Sequence, residues 1–87
     1  MLFTRSTEFK KKFKKSSIKI RAKIEERLAM FAEDPWNPVL DNHSLHGEYV
    51  GCRSINITGD MRLVFEDVGN KTYLLIRFGT HHELYGN

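Results

Sequence analysis

Side chains able to move protons or hold a phosphate crowd the end of this 87-residue sequence: Arg77, His81, His82 and Tyr85, within RFGTHHELYGN. Two further histidines, His43 and His46, stand in NHSLHG, and Asp60 follows Gly59 in a short polar break between apolar runs. Histidine suits proton transfer because its unperturbed pKa lies near neutral pH. Arginine's fixed fork of donors fits phosphate oxygens, and an aromatic ring gives a displaced base a surface to stack on. The spacing of HSLH and HH matches no common structural zinc site, so no metal is expected. The single cysteine, Cys52, falls in a strand pattern and reads as a small inert hydrophobe. Other readings stand beside the chemical ones. Asp60 could be turn chemistry beside Gly59, Arg77 could pair with Glu83, and His46 and His82 could be ordinary surface residues.

The elements that must position these groups are legible in the pattern. LFTRS (Leu2 to Ser6) reads as a short first strand, and Thr7 can cap a helix with Phe9 and Phe13 on one face. Ser17 can cap a second helix in which Ile20, Ile24, Leu28 and Phe31 make an apolar stripe. Pro35 and Pro38 end it. A loop runs to about Gly51, after which the period changes to two. CRSINIT, MRLVFEDV and TYLLIRFG, with turns at Gly59-Asp60 and Gly69-Asn70, make an antiparallel meander. The fold class is therefore α+β: a strand and an antiparallel helical hairpin on one face of a small antiparallel sheet. On the last strand, Leu74, Ile76 and Phe78 are expected to meet the helices and Tyr73, Leu75 and Arg77 to face away.

Length and charge bound the function. Eighty-seven residues make a single domain, 1–87, with one modest core. No apolar run approaches membrane-spanning length and the N-terminus lacks a signal-peptide centre, so a cytoplasmic protein is expected. Residues 1–24 carry nine basic side chains and one acidic, a balance of +8; the rest carries five and ten, −5, giving +3 for the chain. A basic segment of this kind is either a docking face for a polyanion or a solvated helix surface.

Three motifs in order narrow the choice: HxLxG at His43 to Gly47, GDxRLVF at Gly59 to Phe65, and GTHxxLY at Gly79 to Tyr85. With them the C-terminal half resembles the RelE/StbE superfamily of type II toxins, most closely its YafQ-like branch of ribosome-dependent mRNA interferases. The resemblance implies a metal-independent endoribonuclease without cofactor. Cleavage would start from the 2′-hydroxyl that RNA carries beside each phosphate. His43, Asp60 and His81 carry over as acid–base residues, Arg77 as the phosphate stabiliser, and Tyr85 stands where the branch has a phenylalanine. The branch's third histidine falls on Asn56 and its active-site aromatic on Met61, while Arg62 matches an arginine of the wider superfamily. The implied partners are a neutralising antitoxin and the ribosome with its 16S rRNA and mRNA, with DNA met only through the antitoxin. Lys10, Lys11, Lys12, Lys14, Lys15, Lys19, Arg53 and Arg62 are the expected RNA contacts. Two other classes remain: a ParE-like toxin that poisons gyrase, and an RNA-binding module without catalysis.

Overall fold

The computed structural model describes residues 1–86. Its elements are β1 (Leu2–Arg5), α1 (Thr7–Lys15), α2 (Ile18–Glu33), β2 (His43–Ser44), β3 (Arg53–Thr58), β4 (Met61–Gly69), β5 (Thr72–Thr80) and α3 (His81–Tyr85). Two 3-10 turns, Pro38–Leu40 and Gly47–Tyr49, shape the segment around β2. The five strands form one sheet in the order β1-β5-β4-β3-β2. β3, β4 and β5 are the antiparallel meander that the alternation implies. β1 lies parallel to β5, so the sheet is mixed rather than wholly antiparallel.

Serine caps set the helices. Ser6, one residue before the expected cap, starts α1: its hydroxyl accepts from the Phe9 amide at 3.0 Å and donates to the Ile76 carbonyl at 2.6 Å. Ser17 caps α2 by accepting from the Ile20 amide. Arg21 staples the break between the helices, donating to the Ser16 carbonyl at 2.7 Å. The apolar faces of both helices then close over one side of the sheet. Phe9, Ile24 and Phe31 pack with Ile55, Ile57, Leu63, Phe65, Leu75 and Phe78, all essentially buried. No helix among the described residues is long and apolar enough to cross a membrane.

Strand β5 departs from the expected alternation. Val64 pairs with Arg77 but its neighbour Phe65 pairs with Leu75, so Ile76 is an inserted residue, a β-bulge. The phase flips there. Leu75 and Phe78 both reach the helix-side core, whereas Ile76 joins a smaller cluster of Tyr49, Val64 and Leu84. The expected set of Leu74, Ile76 and Phe78 against the helices is therefore wrong, because a bulge adds one residue that alternation cannot count.

The tail is not a continued strand either. After Thr80 the chain turns into α3, held by a capping box in which Thr80 accepts from the Glu83 amide and Glu83 accepts from the Thr80 amide. Five residues cannot sustain a helix alone. Burial of Leu84 and a bridge from α1 hold it. Lys12 Nζ donates to the Phe78 carbonyl at 2.8 Å and lies 3.5 Å from Glu83 Oε1.

Candidate active site

An open cleft of ≈ 370 Å³ is walled by His43, Leu45, His46, Arg62, His81 and Tyr85. Its parts come from four places: β2, the turn after it, β4 and α3. It thus gathers His43, His81, Tyr85 and Arg62 from the expected set, and adds His46 and Leu45. His46 is exposed, as a surface residue is expected to be, and it also lines the cleft. The HSLH spacing was its only signal, since β2 at His43 and the turn at Gly47 place both residues along the cleft.

His81 opens α3 and Tyr85 lies one turn later, so the two rings meet edge to face with centroids 4.6 Å apart. Tyr85 in turn packs edge to face on Tyr49, at 5.8 Å. Tyr49 is almost fully buried and its hydroxyl accepts from Arg77 Nη1 at 2.6 Å. Arg77 is thus not a cleft wall. It stands behind Tyr49 and also pairs with Glu8 of α1, not with Glu83. Burial opposes the charge on Arg77, but the Tyr49 hydroxyl and the Glu8 carboxylate outweigh it and raise its pKa further.

His43 is held differently. Its Nδ1 lies 2.9 Å from the Asp41 carbonyl oxygen, 3.8 Å from the Asp41 carboxylate and 3.3 Å from Arg62 Nη2. Asp41 sits in the left-handed region at φ 47°, which an aspartate tolerates better than most residues and which turns its carbonyl toward both neighbours. Arg62 is sunk into the sheet with its side chain 12% exposed. It donates to Asn56 Oδ1 at 2.5 Å, Ser54 Oγ at 2.9 Å and the Asp41 carbonyl at 3.1 Å.

Asp60 stands at the β3–β4 turn, exposed and outside the cleft walls. Its place there is the turn reading, beside Gly59 at φ 55°. Two expected RNA contacts are committed elsewhere. Arg53 holds Asn42 Oδ1 at 2.7 Å and lies over the Trp36 ring at 4.9 Å, and it lines a recess with the helix-side residues Phe31 and Phe65. Lys12 is the bridge to α3 described above. Lys10, Lys11, Lys14, Lys15 and Lys19 are exposed. Burial, then the nearby Glu66, raises the Cys52 thiol above its ordinary value, which agrees with an inert cysteine.

The chain is similar to known proteins over nearly all of its length. The family model described as "Bacterial toxin of type II toxin-antitoxin system, YafQ" matches residues 1–86. Among solved structures, YafQ from Escherichia coli strain BL21(DE3) superposes with a TM-score of 0.80 at 22% identity, covering 97% of each chain. The toxin in the E. coli DinJ-YafQ complex gives 0.73 at 21% identity, over 97% of this chain and 96% of that one. The YoeB-YefM complex from Staphylococcus aureus gives 0.76 at 21% identity, over 93% and 98%. Among curated proteins, none matches by sequence.

Proposed function

Because the chain belongs to the YafQ family of toxins from bacterial type II toxin–antitoxin systems, we propose that it is a ribosome-dependent endoribonuclease. It cleaves mRNA in the ribosomal A site and so stops translation. The observation that carries this reading is the cleft itself, which His43, His46, His81 and the Tyr85 ring line together. Two histidines on one cleft supply a base for the 2′-hydroxyl and an acid for the departing 5′-oxygen, worth about 10²–10⁴-fold for each placed group. The exposed face of Tyr85 offers the base flanking the scissile phosphate a stacking surface.

His43 and His81 are assigned the proton transfers, and Asp60, outside the cleft, is not. Arg77 stands outside the cleft walls, joined to them through Tyr49 and Tyr85, and among the described residues its Nη2 has no partner. That nitrogen is the donor proposed for the phosphate at the pentacoordinate stage, where charge builds up. The exposed lysines of α1 and Lys19 are proposed to dock on ribosomal RNA. The partner that holds the toxin in check is an antitoxin; the DinJ-YafQ and YoeB-YefM complexes support that part of the reading.

The test is a translation extract followed by primer extension and end analysis. Cuts only in mRNA under translation, leaving a 5′-hydroxyl and a 2′,3′-cyclic or 3′-phosphate, are expected. DNA breaks that depend on gyrase, or RNA ends with a 5′-phosphate, would overturn the reading.

A further inference from the structure

We propose that Asp41 and Arg62 fix His43 as the tautomer protonated on Nδ1, so that Nε2 is the nitrogen that exchanges a proton. This rests on the reading of His43 as an acid–base residue, and it makes Asp41 and Arg62 positioning residues for it.

The argument is a count of hydrogens. A guanidinium has five N–H donors and no acceptor, two on each terminal nitrogen and one on Nε. Nη2 of Arg62 has partners at 2.9 Å (Ser54 Oγ) and 3.1 Å (Asp41 O), which take both of its hydrogens. Its 3.3 Å approach to His43 Nδ1 is the longest of the three and has no hydrogen left to it. Nη1 is likewise filled, by Asn56 Oδ1 at 2.5 Å and Asp41 Oδ2 at 3.3 Å. At Nδ1 the remaining neighbours are acceptors only: the Asp41 carbonyl at 2.9 Å and carboxylate at 3.8 Å. Nδ1 must therefore be the donor, in the neutral ring as well as in the cation. An isolated neutral imidazole side chain prefers the opposite tautomer, so the site reverses the default.

The same count removes Arg62 from the phosphate contacts. Four of its hydrogens are spent within the protein, and Nε is buried without a partner. The guanidinium acts as a clamp on the Asp41 turn, which keeps a non-glycine residue at φ 47° and its carbonyl aimed at His43. The charged and titratable groups around His43 are Asp41 and Arg62 in contact, and His46 and His81 on the cleft walls. None of these offers Nδ1 a competing hydrogen at shorter range among the described residues.

The experiment is long-range proton–nitrogen correlation on uniformly nitrogen-15-labelled protein, at a pH where His43 is neutral. The expected result is a pyrrole-type Nδ1 and a pyridine-type Nε2 for His43. Arg62→Gln, which releases the Asp41 turn, should move His43 toward the Nε2-protonated form, whereas Asp41→Asn keeps the main-chain carbonyl at 2.9 Å and should leave Nδ1 protonated. The remaining amide signals report whether each variant is folded. A wild-type His43 protonated on Nε2, an Asp41→Asn variant that turns to Nε2–H, or an unmoved tautomer in folded Arg62→Gln would overturn the inference. The spectra read the ring whether or not RNA is cut. In cleavage assays Arg62→Gln should lower kcat by about 10²-fold with KM for programmed ribosomes unchanged. A rise in KM alone would instead make Arg62 a phosphate contact and contradict the hydrogen count.

Discussion

Arg77 and Glu8 form an ion pair, Nε to Oε2 at 2.5 Å, that ties the proposed phosphate donor to the first turn of α1. With Nη1 given to Tyr49, the pair leaves one face of the fork for substrate. A carboxylate so close competes with an incoming phosphate. Glu8→Gln should therefore raise kcat for mRNA on the ribosome with KM little changed, and Arg77→Ala should reduce cleavage by about 10²-fold or more. Single-turnover cleavage on programmed ribosomes measures both; an unaltered kcat in Glu8→Gln would show that the pair does not hold the donor back.

The two histidines should separate chemistry from stability. His43 and His81 are exposed, so alanine at either should change stability by less than about 0.5 kcal/mol. Cleavage should fall by about 10²–10⁴-fold in each. Thermal melts beside cleavage rates check this, and full activity in a folded His81→Ala variant would remove His81 from the site.

The lysines divide into two groups. Gln in place of Lys10, Lys11, Lys14 and Lys15 should flatten the salt dependence of ribosome binding by about 0.7 per lost phosphate contact. Lys12→Gln should leave that slope nearly unchanged and loosen α3 instead, because Lys12 is bound to Phe78 and Glu83. Co-sedimentation with ribosomes across a salt series distinguishes them. Identical slopes for wild type and the four-glutamine variant would return these lysines to a solvated helix face.

Acid should release α3 first. The Thr80 amide, and then Lys12, hold the Glu83 carboxylate below its ordinary value of 4.5. A lowered folded-state pKa means that the unfolded chain takes up the proton first. The contribution of Glu83 is thus complete above pH 4.5 and lost as pH falls through the lower folded value. Hydrogen exchange in α3 should accelerate in that range ahead of β4, and Glu83→Gln should abolish the difference.

Gly79 guards the same junction by its lack of a side chain. A Cβ there would meet Lys12 Nζ at 2.8 Å and Glu83 Oε1 at 2.9 Å, so both must swing away. Gly79→Ala should cost about 1 kcal/mol and slow cleavage without touching a cleft residue. Denaturant melts and cleavage rates together test this; a variant as stable and as active as wild type would show the bridge to be dispensable.

The meander and both long helices were legible because their apolar residues repeat at two and at 3.6 positions. β2, of two residues, and α3, of five, are too short to display any period. The bulge at Ile76 adds one apolar residue to an already apolar strand, and nothing in TYLLIRFG marks it. At the site, the histidines and Tyr85 were visible as types that a core does not need. Arg62 was visible as a match to a superfamily arginine and as an expected RNA contact, not as a clamp. Its role depends on Asp41, Ser54 and Asn56, which lie on a loop and on a neighbouring strand, and no local pattern joins them. Tyr49 was missed for the same reason: its hydroxyl matters only through Arg77, brought to it by folding.

The parallel pairing of β1 with β5 also sets when the fold can be completed. A chain is made from its first residue onward, yet Ser6 must wait for Ile76, 70 positions later, before its hydroxyl finds its acceptor. The sheet order cannot close, nor His81 reach its cleft, until that late stretch has left the exit tunnel. A chain that stops short of β5 therefore holds the basic helices without the cleft that His81 and Tyr85 complete.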